Sequence, residues 1–199
     1  MDFSDLQARQ RFLVRQQLTL LGNRYVVTVA EPDGSEGEVV AFAEQKRLAF
    51  RERVTFYTDD SRRQVLFAFK ARQVLDVGAT YDVTDASENV IGLFRKNFAA
   101  SLPRSTWHLQ QPGAVASAGK ERNMFVAVLR RVWNVIPFTD WLPFAWPYHF
   151  DFTAGDREIM SVNKKFGLRD RYVLDILSPD VDRRLAMAQA VGLDALQSR

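Results

Sequence analysis

The sequence predicts a mainly β, antiparallel protein of about ten to twelve strands, a sandwich or a barrel, with a helix near the C-terminus. Three observations predict it. Five stretches repeat one recipe: an apolar-aromatic run, a short acidic turn, a second apolar run, then a basic cluster. Such runs recur at roughly 8–12-residue spacing, the rhythm of sandwiches and barrels. In the fifth stretch the second half changes to a helical pattern, Arg184–Leu193, apolar on nearly every side.

The elements follow in chain order. Arg11–Leu18 fits a first strand. The first hairpin runs from Arg24–Val29 through Glu31-Pro32-Asp33-Gly34 to Val39–Phe42, and ends in Lys46-Arg47. In the second, Val54, Phe56 and Thr58 share one face of a strand, the period-2 pattern of a half-buried element. Asp59-Asp60-Ser61 turns the chain, and Val65, Phe67 and Phe69 line one face of the return strand before Lys70 and Arg72. Asp, Asn, Ser and Gly suit these turns because they hydrogen-bond locally or accept positive φ. The third hairpin is Tyr81–Thr84, Asp85–Glu88 and Val90–Phe94, closing on Arg95-Lys96. Ser105–Leu109 reads as a further strand. The fourth hairpin runs from His149 to Lys164-Lys165, and the fifth begins with Tyr172–Leu177.

The terminal helix, about Asp182–Leu196, is capped by Asp180 or Asp182, whose carboxylate accepts orphan N–H groups of the first turn. A helix apolar on all sides must be buried on all sides. Its small residues, Ala186, Ala188, Ala190 and Gly192, make it thin enough to lie inside a ring of strands. The alternative is an amphipathic helix on a sheet face, with Arg183, Arg184, Gln189 and Asp194 on its wet side.

Between the third and fourth hairpins, about residues 110–147 carry little of the strand pattern and read as an insertion into one domain spanning 1–199. Within it, about Lys120–Ile136 fits a helix with Phe125, Leu129, Val132 and Ile136 on one stripe, stopped by Pro137. A loop dense in aromatics and proline follows. Trp133, Phe138, Trp141, Phe144 and Trp146 are the candidate membrane or partner contacts. The plainer reading, that helix and loop cover a wall of the sheet, is preferred because large exposed apolar patches are uncommon.

Composition excludes several classes. Apolar residues make up 47% and charged residues 26%, as in a soluble globular protein. Zero cysteines remove disulfide scaffolds, thiolate metal sites and thiol chemistry. The first residues carry no basic n-region, so no secretory signal is expected, nor any membrane-spanning helix, and the cytoplasm is the expected compartment, with a peripheral place at the membrane. A net charge of +3 does not argue for nucleic acid, and neither does any aromatic stacking platform. No catalytic motif surrounds His108 or His149, which read as structural, and no acidic turn has the spacing of a metal loop, so no cofactor, metal or catalytic residue is expected.

The runs Arg24–Gly34, Tyr81–Lys96 and Ser178–Leu196 resemble the LURP-one-related family, grouped with the phospholipid scramblases in the tubby C-terminal-like superfamily. The resemblance covers about residues 11–109 and 148–197. It implies a closed antiparallel β-barrel of about twelve strands around a buried C-terminal hydrophobic helix. It also implies a non-enzymatic, membrane-peripheral binding module for an anionic phospholipid or another phosphate-bearing ligand. The candidate ligand residues are the basic strand ends Lys46, Arg47, Lys70, Arg72, Arg95, Lys96, Lys164 and Lys165. The other function considered is a protein–protein interaction or scaffold protein using the aromatic insertion 124–148. Hairpin geometry adds one expectation: acidic turns gather at one end of the strands and basic ends at the other.

Overall fold

The computed structural model describes residues 2–19, 22–45, 52–72, 80–97, 106–122, 149–165 and 171–196. A short helix, α1 (Phe3–Ala8), precedes twelve strands. These are β1 (Arg11–Thr19), β2 (Gly22–Ala30), β3 (Glu36–Gln45), β4 (Arg53–Tyr57), β5 (Val65–Ala71) and β6 (Thr80–Asp85). The second half holds β7 (Val90–Asn97), β8 (Thr106–Gln110), β9 (Ser117–Glu121), β10 (His149–Ala154), β11 (Arg157–Lys165) and β12 (Arg171–Ile176). Helix α2 (Arg183–Ala195) follows. Each strand pairs antiparallel with its sequence neighbours, and β1 closes the ring on β12, from Arg11 opposite Asp175 to Arg15 opposite Arg171. Of the two architectures left open by the strand pattern, the barrel is the one adopted.

Alternation decides what faces inward. Phe67 and Phe69 on β5, Val54 and Phe56 on β4, Phe94 on β7 and Trp107 on β8 are all fully buried. Their rings touch in sequence around the wall, with Phe56 stacked on Phe67 at 4.1 Å and Phe94 edge-on to Phe69 at 5.1 Å. Offset and edge-on aromatic pairs of this kind add to the area they remove from water.

Helix α2 runs inside this ring, with Leu185, Ala186, Met187, Ala188, Ala190, Val191 and Leu193 all at zero exposure. Gln189, which the sheet-face alternative would set in water, is fully buried as well. Two glycines let the helix approach β7. A Cβ at Gly92 would lie 2.7 Å from a Leu185 methyl, and one at Gly192 would lie 2.9 Å from the Phe94 ring. Closing the ring and threading it with a thin helix are thus one packing solution.

The helix is fixed at its start. Asp182 is the N-cap, accepting from the Arg184 amide at 2.9 Å, and its own amide donates to Gln111 on the β8–β9 turn at 2.9 Å. The Arg183 guanidinium is buried and donates to the carbonyls of Arg9, Ser178, Pro179 and Val181 at 2.7–3.3 Å. Gln7 of α1 reaches the carbonyls of Pro179 and Val181 and accepts from the Arg183 amide. So α1, which has no strong pattern of its own, is a lid pinned over the helix start.

The insertion is shorter than its sequence suggests. Residues 117–121 form β9, which pairs with β8 and β10 and completes the ring. Its run, Ser-Ala-Gly-Lys-Glu, looks nothing like an apolar strand because Phe152 of β10 fills the space beneath it. A Cβ at Gly119 would stand 2.4 Å from the Phe152 ring. The helix expected from Lys120 therefore does not begin there, since Lys120 and Glu121 lie in β9. The rest of that helix and the aromatic loop, Trp133, Phe138, Trp141, Phe144 and Trp146 included, lie outside the described residues.

Candidate functional site

The meander sorts the connections. The turns β2–β3, β4–β5, β6–β7, β8–β9 and β10–β11 all lie at the end where α2 begins. The carboxylates there build the turns. Asp33 accepts from the Ser35 amide and hydroxyl at 2.8 and 2.6 Å, and Asp59 accepts from the Ser61 amide at 2.8 Å. Asp85 accepts from the Ser87 and Asn89 amides and from the Asn89 side chain at 2.9–3.0 Å. Hydrogen bonds to the charged form hold these three carboxyls below their ordinary value: chiefly from Ser35 for Asp33, Ser61 for Asp59 and the Asn89 side chain for Asp85. The acidic end is not purely acidic. Arg62 and Arg63 sit in the β4–β5 turn and Arg157 begins β11, but Arg62, at φ 58°, folds back in a two-pronged bond of 3.0 and 2.9 Å to Glu44 on the wall.

The described basic strand ends lie at the opposite rim, as hairpin geometry requires, but they do not all face the same way. Lys70, Arg95 and Lys165 are exposed on the outer wall. Arg72 is engaged, gripping Asp82 through three contacts of 2.7–2.9 Å, which raises its pKa above the ordinary value. Lys96 and Lys164 turn inward because they share parity with Phe94 and with Met160 and Val162. Lys96 donates to the Leu196 carbonyl at 3.4 Å and lies over Trp107, and Lys164, 6% exposed, lies over Tyr172. Lys46 and Arg47 lie outside the described residues.

Register assembles bases that sequence spacing does not show. Arg15, Arg171 and Lys165 stand directly opposite one another across β1, β12 and β11. Arg53 lies opposite Lys70. Of these, Arg15 is drawn toward Glu36 at 3.4 Å, and Arg171 is exposed beside Lys165. The arrangement can offer diffuse positive charge around one rim of the barrel, rather than one enclosed anion pocket.

Inside that rim lies a polar layer under the helix C-terminus. Tyr25 and Tyr172 both donate to the Asp194 carboxylate, Tyr25 at 2.8 Å. Tyr81 donates to Glu52 at 3.1 Å, and Gln45 bridges Glu52 and the Ala195 carbonyl at 3.2 and 3.5 Å. These groups fasten the helix end to β2, β3, β6 and β12.

The two histidines lie on neighbouring parts of the wall, His108 in β8 and His149 in β10. His108 is pushed below its ordinary pKa by burial, aided by Arg95, and His149 Nδ1 is 2.7 Å from the Asn163 side-chain oxygen. Among the described residues no group of three or more His, Cys, Asp or Glu is placed to hold a metal ion. No described helix is long and apolar enough to cross a membrane.

A twelve-stranded antiparallel meander closed around a buried C-terminal helix defines a tubby C-terminal-like barrel. Within that class the chain belongs to the LURP-one-related family, whose model matches residues 39–194, from the middle of β3 to the end of α2. The match begins after β1 and β2, although the ring cannot close without them. A search of curated proteins gave no match.

Proposed function

We propose that the protein is a non-enzymatic binding module that docks peripherally, basic rim first, on an anionic phospholipid surface. One observation carries this reading. The meander sends the basic ends of β5, β7 and β11 to one rim and the acidic turns to the other, so a chain of modest net charge has a direction. Lysine and arginine near an anionic surface each contribute about 1 kcal/mol, and the attraction fades beyond about 10 Å at 0.1 M salt. Three exposed bases, Lys70, Arg95 and Lys165, are the residues assigned to the contact. Lys96, which faces the interior, is not.

Flotation with phosphatidylserine-containing vesicles tests it. Lys70→Glu, Arg95→Glu and Lys165→Glu together are expected to lower binding at low salt roughly a hundredfold, from about 1 kcal/mol per base. Asp60→Lys on the other rim leaves it unchanged or slightly raised. Equal binding to neutral and anionic vesicles, or a triple variant that binds like the wild type, would refute the reading.

A further inference from the structure

The rim opposite the bases has a character of its own. Among the described residues, four large apolar side chains are half or more exposed: Phe3 at 50%, Leu177 at 53%, Val90 at 54% and Val115 at 74%. All four lie at the end where the turns gather and α2 begins. Phe3 is on the lid helix, Val90 and Val115 follow the β6–β7 and β8–β9 turns, and Leu177 follows β12. Between the β8–β9 and β10–β11 hairpins a cleft of about 310 Å³ opens, walled by Leu109, Val115, Ala154, Ile159, Val181 and Leu185. That is at the lower end of the roughly 300–1,000 Å³ of small-molecule pockets, a size suited to one or two apolar side chains. Carboxylates ring the same end, from Asp85 and Glu88 to Asp156, Glu158 and Asp180, and outnumber the bases beside the cleft: Arg157 lines it, Arg184 is held by Asp182 at 2.6 Å, and Arg62 and Arg63 belong to the β4–β5 turn.

We propose that this end of the barrel docks a basic segment of a partner protein, which inserts one large apolar side chain into the cleft. An apolar anchor in a pocket with a charged surround is how compact interfaces concentrate their affinity. The sign of the surround selects the occupant. An anionic membrane is repelled by it, and a two-fold contact with a second copy would set acid against acid. A Lys/Arg-rich segment with an apolar anchor satisfies both the charge and the cleft. The proposal does not rest on the membrane reading, because it uses the other end of the molecule.

Panning a random-peptide library on the whole chain tests it. The selected peptides are expected to carry Lys or Arg around a single large apolar residue. With a synthetic copy of one such peptide, Val115→Asp is expected to weaken binding at least tenfold, about the worth of one buried apolar anchor. It does so although the added carboxylate strengthens bare attraction to a basic peptide. Because Val115 is mostly exposed, the melting temperature stays unchanged, and Lys70→Glu leaves peptide affinity unaltered. No enrichment, peptides without bases, or affinity unchanged or raised by Val115→Asp would overturn the proposal. So would concentration-dependent self-assembly abolished by Val115→Asp, which would assign the cleft to a second copy bound head to tail.

Discussion

Replacing Gly119 by alanine adds a single methyl group, and the structure gives its consequence in numbers. That carbon would stand 2.4, 2.5 and 2.7 Å from three atoms of the Phe152 ring. Carbon atoms pack comfortably at about 3.5–4.0 Å, so the ring would have to withdraw by about 1 Å or more. Phe152 has zero exposure and sits between β9 and β11, opposite Gly119 and Met160, so no free volume waits for it. Overpacking of this kind costs about 1–3 kcal/mol, and a fixed ring against a strand belongs at the upper end. Losing glycine from a strand returns at most about 1 kcal/mol. The net expectation is a loss of about 2 kcal/mol, or about 4–8 °C in melting temperature for a protein of this size. Urea titration and thermal melts by circular dichroism measure both. A second arm identifies the cause: Phe152→Leu makes room, so the double variant is expected to be more stable than the sum of the two singles by at least about 1 kcal/mol. A Gly119→Ala protein within about 0.5 kcal/mol of wild type, or strict additivity, would refute the reasoning.

Ala190→Glu places a carboxylate at a fully buried position inside the ring, and no soluble, cooperatively melting protein is expected from it. Arg183→Met strands four backbone carbonyls and should cost at least about 3 kcal/mol in a urea titration, and Arg183→Lys recovers a minor part because an ammonium lacks the planar fork. His108 has its folded pKa below its unfolded value, so its contribution is present at pH above 6.5 and declines as pH falls through that value toward the folded one. Melts across that window should show the decline, and His108→Gln should remove it. The turn carboxylates Asp33, Asp59 and Asp85 act in a separate window, stabilising above their ordinary value of 3.8 and failing as pH drops through their lower folded values. Deleting residues 115–146 removes β9 and is expected to leave no folded barrel, read as loss of the cooperative melt, because β8 and β10 then have no partner between them.

Much of the architecture is legible because alternation and turn chemistry are local. Phe67 and Phe69 announce their shared face two residues apart, and Asp85 through Asn89 announce the turn they build. What is not legible is complementary volume. β9 is hidden because the bulk beside Gly119 is supplied by Phe152, about thirty residues downstream, and because the strand itself ends in Lys120 and Glu121 instead of an apolar run. Helix α1 is hidden because six residues cannot show a period, and tertiary bonds from Gln7 hold it in place. The small, apolar run from Ala186 to Gly192 is legible as a helix, but the pattern alone leaves a sheet-face helix open, and it is the family resemblance that points to burial inside the ring.

The basic rim was half legible. The clusters Arg95-Lys96 and Lys164-Lys165 mark the right end of the strands, but one member of each pair must face inward. Parity with Phe94 and Val162 names Lys96 and Lys164 as those members. The row of Arg15, Arg171 and Lys165 needs the β1–β12 seam, a pairing between distant parts of the chain that spacing cannot reveal.

The order of the chain also bears on how the molecule comes into being. Helix α2 is translated after every strand it holds together, and the last seam joins the first strand to the twelfth. At about 5–20 residues per second of synthesis, the inner faces bearing Phe56, Phe67, Phe94 and Phe152 emerge well before the helix that will cover them. Until then β1 and the strand opposite its future seam are open edges, ready to pair with a neighbouring nascent chain. A fold of such long-range closure forms slowly, so its yield in a cell should depend on holding those edges apart until the plug arrives.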